Sequence, residues 1–164
     1  MFDKHPFHPD APAQGEAPPP HNIEAEQALL GAMLADNDAF TVVDGLVSPR
    51  DFFEPFHQRL FKTIGDEIRH GRLAEPSLLA QYFLIDPAFQ QFGGLSYMLD
   101  LLDKAPPSNR ADQYAKAVRS VALRRDVVRI AKDIAHRAQN DAQADGGQMM
   151  ADLERDILAV RTGK

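Results

Sequence analysis

Asp51, Glu54 and His57 are the residues whose types and spacing come nearest to a catalytic group, each three positions from the next around Pro55. An imidazole beside two carboxylates suits general-base work or metal binding. The same residues also describe a helix start. Pro55 opens a helix, Asp51 and Glu54 favour its positive end, and His57 follows Phe56 in an aromatic-rich turn. A capped helix start with a packed histidine is the preferred reading over catalysis. His5, His8 and His21 have no cysteine or carboxylate partners at a recognisable ligand spacing. Gly163-Lys164 is not a phosphate-binding loop, because position 158 is leucine and no Ser or Thr follows. Gly93-Gly94 lacks the dinucleotide spacing, and neither H-E-x-x-H nor G-x-S-x-G occurs. With no cysteine, a disulfide scaffold, a thiolate zinc site and a cysteine nucleophile are excluded. No catalytic, cofactor-binding or metal residue is assigned.

The elements that position these residues are helices. From Asn109 to Gln143 there is no proline or glycine. At about 100° per residue, Leu123, Val127, Ile130 and Ile134 form one stripe, while Tyr114, Val118, Val121 and Val128 lie roughly opposite. After a break at Gly146-Gly147, Met150, Leu153, Ile157 and Val160 line one face of a second helix that folds back. A lone hairpin buries only one of the long helix's two stripes. The other needs the rest of the domain or a second chain. Leu123, Val127, Ile130, Ile134, Met150, Leu153 and Ile157 are therefore the candidate residues for hairpin closure and self-association.

Ahead of the hairpin, residues 1–20 hold six of the twelve prolines and no apolar periodicity, which predicts a disordered tail. Asn22 caps a first helix, with Glu24 and Glu26 favouring its dipole and Gly31 permitting close packing. The spacing then predicts helices from Ala39 to Val47 with Asp38 as cap, from Pro55 to Gly71, from Pro76 to Ile85, from Pro87 to Phe92 and from Leu95 to Leu102. No window alternates with period two. The expected fold is all-α: a compact bundle of about six short helices over 21–108, self-contained, followed by a long-helix hairpin over 109–161.

The net charge of −6 is unevenly spread. Residues 110–137 hold eight Lys/Arg against three Asp, while residues 1–109 hold seven Lys/Arg against sixteen Asp/Glu. Arg110, Lys116, Arg119, Arg124, Arg125, Arg129, Lys132 and Arg137 form either a nucleic-acid footprint or a solvated face that meets an acidic body. The second is preferred, because no aromatic residues are interleaved for stacking. No apolar run approaches the ~20 residues a membrane span needs. No apolar segment follows Lys4 as a secretory signal would require, so the expected compartment is the cytoplasm.

The stretch Pro20-His21-Asn22-Ile23-Glu24-Ala25-Glu26-Gln27-Ala28-Leu29-Leu30-Gly31-Ala32-Met33-Leu34 resembles the opening of the N-terminal domain of bacterial replicative DNA helicases, the DnaB family. Asp51-Phe52-Phe53 with Pro55, His57, Leu60 and Phe61 follows in the family's order. So do Gly93-Gly94 with Tyr97 and Leu101-Leu102, and Asn109 through Tyr114, Val118, Leu123, Arg124 and Arg125. The resemblance implies a collar domain whose hairpin pairs with a neighbour's, building a ring as a trimer of dimers. It further implies recruitment of primase, with a helicase loader as a further candidate partner. In the family, ATP and Mg, hydrolysis, unwinding and most DNA contact belong to a C-terminal domain after a linker. This chain departs from the family there and looks like the collar alone, with no enzyme activity and no cofactor of its own expected. A nucleic-acid-binding domain using the basic helix, and then a small His/carboxylate enzyme, are the alternatives.

Overall fold

The computed structural model describes residues 17–163. Expectations about residues 1–16, including His5, His8 and most of the proline-rich tail, lie outside them. The described residues form eight α-helices and no strand: α1 Ile23–Ala35, α2 Ala39–Val43, α3 Pro55–Arg69, α4 Pro76–Leu79, α5 Pro87–Phe92, α6 Leu95–Asp103, α7 Ala111–Asn140 and α8 Gly146–Thr162. Short 3-10 turns cover Pro49–Asp51, Ala80–Phe83 and Ser108–Arg110. The all-α bundle with a hairpin is the observed architecture.

Local chemistry sets most of the boundaries. Asn22 accepts the Ala25 N–H at 3.0 Å, and Asp86 accepts that of Ala88 at 3.0 Å. Pro55, Pro76 and Pro87 stand at first-turn positions, where a missing N–H costs nothing. Gly93, at φ +109°, ends α5 in a conformation that L side chains avoid. Two expected helices are shorter than the spacing predicts. α2 stops at Val43, because the chain turns back on the Val43 carbonyl through Gly45, Leu46 and Val47. Asp38 is not a side-chain cap; Asp36 instead accepts the Asp38 N–H at 3.0 Å. The fourth helix gives way after Leu79 to the 3-10 turn.

α1 runs through the middle, packed by α7, α6 and α3. Leu29, Leu30, Ala32, Met33 and Leu34 are all buried, so the helix is enclosed on nearly every side. Phe52, Phe56, Leu60 and Ile64 close over it from the α3 side, and Met98 and Leu101 from α6. Ala111, Ala115 and Val118 of α7 belong to the same core. The body is therefore not complete at 108: the first two turns of the long helix are part of it. Small α7 residues let that helix lie close to α1.

At Gly31 the approach is closer still. A Cβ there would fall onto the Leu101 carbonyl oxygen and within 3.3 Å of the Ala105 Cα. Neither is a flexible side-chain end, so α6 would have to move. Gly31→Ala is expected to destabilise the domain by about 1–3 kcal/mol, the usual cost of overpacking. Urea unfolding followed by circular dichroism checks this, and an unchanged midpoint would refute the close approach.

Candidate functional site

His57 is fully buried and does not face Asp51 or Glu54. Its Nδ1 lies 2.9 Å from Glu26 Oε1 and its Nε2 2.6 Å from the Tyr97 hydroxyl. With the proton on Nδ1, Nε2 is left to accept the Tyr97 O–H, and Gln27 donates to the Tyr97 oxygen at 3.2 Å. Glu26 Oε2 accepts the Phe53 N–H at 2.7 Å, and Oε1 that of Glu54 at 3.3 Å. Burial, followed by the nearby Glu54 and Glu26 carboxylates, pushes the Tyr97 hydroxyl above its ordinary range, against the hydrogen bond from Gln27. Glu26 is thus not a surface residue placed for the helix dipole, as the sequence suggested. Every polar atom of this hub is spent on another part of the body, with α1, the turn before α3, α3 and α6 joined through one imidazole.

The other two members of the expected trio go elsewhere. Glu54 caps α3, accepting the Phe56 N–H at 3.2 Å. Asp51, itself buried, receives the Ser48 N–H at 2.8 Å and the Arg119 guanidinium at 2.8 Å. Arg119 also donates to the Val160 carbonyl at 3.1 Å, tying the end of α8 to the body. Arg125 donates to the Asp51 carbonyl and, at 2.9 Å, to that of Pro20. Its guanidinium lies 5.6 Å from the Phe53 ring centroid, and His21 stacks on the same ring at 4.8 Å. Pro20 is therefore anchored. Asp51, Glu54 and His57 do not converge on a common point, and among the described residues no cluster of three side chains is arranged to hold a metal.

Beyond the body, α7 and α8 form the hairpin. The break falls at 141–145 rather than at the glycine pair; Asp145 caps α8 by accepting the Gln148 N–H at 2.8 Å, and Gly146-Gly147 open the helix. Ile130 and Met149 are buried outside the main core, as hairpin closure requires. Met150 is not on the closing face. It is 62 % exposed, against 9 % for Met149, because α8 packs on α7 with Met149 turned inward. Leu123, Ile134 and Leu153 are half-buried. Val127, at 64 % exposed, and Ile157, at 45 %, are left to water. The opposite stripe also divides: Val118 joins the core, whereas Val128 lies beyond the body, beside Pro18–Pro20.

A family model described as the DnaB-like helicase N terminal domain matches residues 18–120. The chain belongs to that family. It is 30 % identical over 146 residues to the replicative DNA helicase DnaB of Treponema pallidum, which spans 89 % of this chain and 33 % of that protein. It is 30 % identical over 125 residues to that of Rickettsia typhi, spanning 76 % of this chain and 25 % of the relative. The chain thus covers between a quarter and a third of the length of these relatives. The crystal structure of the N-terminal domain of DnaB helicase from Mycobacterium tuberculosis is similar at a TM-score of 0.76 and 28 % identity, covering 86 % of this chain and 99 % of that one. A structure of a DnaB-like replicative helicase and its interactions with primase shares the fold, at a TM-score of 0.66 and 21 % identity over 85 % of this chain and 31 % of that one.

Four of the basic residues on the long helix of this DnaB-like domain meet named carboxylates. Lys116 faces Asp112, Arg129 faces Asp126, Arg137 faces Asp133 and Asp152, and Arg119 faces Asp51. Arg125 is taken up by the Asp51 and Pro20 carbonyls instead of a carboxylate. No helix among the described residues is long and apolar enough to cross a membrane.

Asp152 carries the cross-hairpin pair with Arg137, at 3.2 Å. Donation by the Gln148 amide, then by Arg137, holds its carboxyl below the usual carboxylate range. A carboxylate depressed in the folded state contributes stability that is full above the unfolded value of ~4 and is lost as pH falls through the folded one. The hairpin should therefore loosen below about pH 4. A ¹³C titration of the Asp152 carboxyl is expected to show a midpoint below that of a free aspartate; one at or above it would remove Asp152 as the hairpin's acid-sensitive link.

Proposed function

We propose that the chain is the assembly and partner-docking collar of a replicative DNA helicase acting in DNA replication. The observation that carries this is the hairpin itself. It projects past the body and keeps Val127, Met150, Ile157 and Leu158 exposed on two antiparallel helices. Leaving several large apolar side chains in water forgoes ~1.5–3 kcal/mol for each one that a partner would fully bury. A second hairpin offers the same apolar surface, which is what a two-fold contact needs. Pairing of this kind would build the dimers of a ring. The body, whose helices are locked together by the Glu26–His57–Tyr97 hub, is suited to present a fixed surface to primase and to a helicase loader. On this reading ATP, Mg and most DNA contact belong to a further, ATP-hydrolysing domain of the longer protein, and the setting is the cytoplasm.

Val127 and Ile157 are the sharpest probes because both are exposed in the single chain, whereas a charge at Ile130 would also break hairpin closure. Val127→Glu and Ile157→Glu should keep the helical circular dichroism and weaken self-association at least tenfold, in line with central apolar anchors of an interface. Sedimentation across protein concentration reads the effect. Unchanged association in the folded double variant sinks the hairpin as the pairing element.

The purified chain is also expected not to turn over ATP, since its sequence has no loop of the phosphate-cradling type. Turnover that persists through purification, and that a substitution in this chain abolishes, would overturn that expectation.

A further inference from the structure

The junction between body and hairpin carries a cleft that neither the collar reading nor the polar hub uses. It measures about 440 Å³ and is lined by Asp44 to Ser48, Arg50, Asp51, Arg119, Arg161, Thr162 and Gly163. Three arginines therefore line one cleft, from three elements: the 3-10 turn Pro49–Asp51, α7 and the last turn of α8. Its two carboxylates are already engaged. Asp44 pairs with Arg69 at 2.8 Å and Asp51 with Arg119 at 2.8 Å. Arg50 and Arg161 have no ion-pair partner among the described residues. The cleft thus holds two uncompensated cations on a protein whose net charge is −6.

Arg119 adds a fixed element. The buried Asp51 carboxylate and the Val160 carbonyl hold its guanidinium in place with two of its five N–H groups. Pre-organised guanidinium forks match phosphoryl oxygens bidentately, and an anion held by several of them gains charge-assisted hydrogen bonds. No aromatic side chain lines the cleft, so nothing there stacks a base. Recognition would come from the phosphoryl oxygens alone.

We propose that this cleft binds a compact polyphosphate anion, either free pyrophosphate or the phosphate tail of a nucleotide, and that the anion bridges Arg50 of the body and Arg161 of α8 across Arg119. Binding then fastens the end of the hairpin's return helix to the body. It is independent of hairpin pairing, so each can fail without the other.

The test uses the whole chain and pyrophosphate, with sodium chloride at matched ionic strength as reference. Isothermal titration and thermal melting are expected to show one-site binding and a raised midpoint. Arg50→Ala and Arg161→Ala should each weaken binding about tenfold, whereas Arg124→Ala, an exposed arginine outside the cleft, should not. ADP binding as tightly as pyrophosphate, with the same response to the variants, assigns the site to a nucleotide's phosphates; pyrophosphate binding alone assigns it to the free anion. No stabilisation beyond the chloride reference, or binding that ignores Arg50→Ala and Arg161→Ala, overturns the proposal. Binding confined to single-stranded oligonucleotides, steep in salt, would also overturn it in favour of a nucleic-acid contact.

Discussion

Glu26 carries a carboxylate into the middle of the body, where losing its water costs several kcal/mol unless hydrogen bonds replace it. The replacement donors come from distant parts of the chain: the Phe53 and Glu54 amides ahead of α3, and His57 within it. His57 is then completed by Tyr97 on α6. The apolar core around these groups tolerates small changes of volume. The hub does not tolerate rearrangement, because moving any one of the four elements strands a buried polar atom. This gives the body one arrangement of its helices rather than several of similar energy.

That rigidity extends into the hairpin because α7 is shared. Its first turns lie in the body's core through Ala111, Ala115 and Val118, and it also packs against α8 to form the hairpin. A helix without proline or glycine transmits position along its length, so the body fixes where the hairpin points. Arg119 and Arg125 reinforce the joint at the same level, both reaching Asp51. Asp51 thereby serves as its own turn's cap and as the body's grip on the long helix. A module that paired through one end and docked partners through the other, as proposed, would need such a joint. A loose hinge there would let each end move without the other.

The helices themselves were legible in the sequence. Caps at Asn22 and Asp86, prolines at 55, 76 and 87 and the glycine pair at 93–94 act within a turn or two, so local chemistry decides them. The close approach allowed by Gly31 and the packed nature of His57 were legible too. The missed contacts of the site depend on sequence separation. Glu26 lies 31 residues from His57, and Asp51 lies 68 from Arg119. Their composition matched a dipole-favouring carboxylate, a helix cap and a surface arginine. Only the polar character of Glu26, His57 and Tyr97 within otherwise apolar neighbourhoods hinted at a shared interior.

The sequence by itself determined an all-α domain, the order and approximate ends of its helices, a hairpin with an apolar surplus, and a resemblance that the family match bears out. Periodicity and capping suffice for these because they depend on residues within about four positions of each other. Tertiary structure alone decided how far the body extends into α7, that Met149 rather than Met150 closes the hairpin, and that Arg119 and Arg137 of the basic helix reach the carboxylates of Asp51 and Asp152. Successive residues of α8 point about 100° apart, so Met149 and Met150 cannot share the closing face equally. Which face is then buried depends on what packs against it, and no local pattern contains that information.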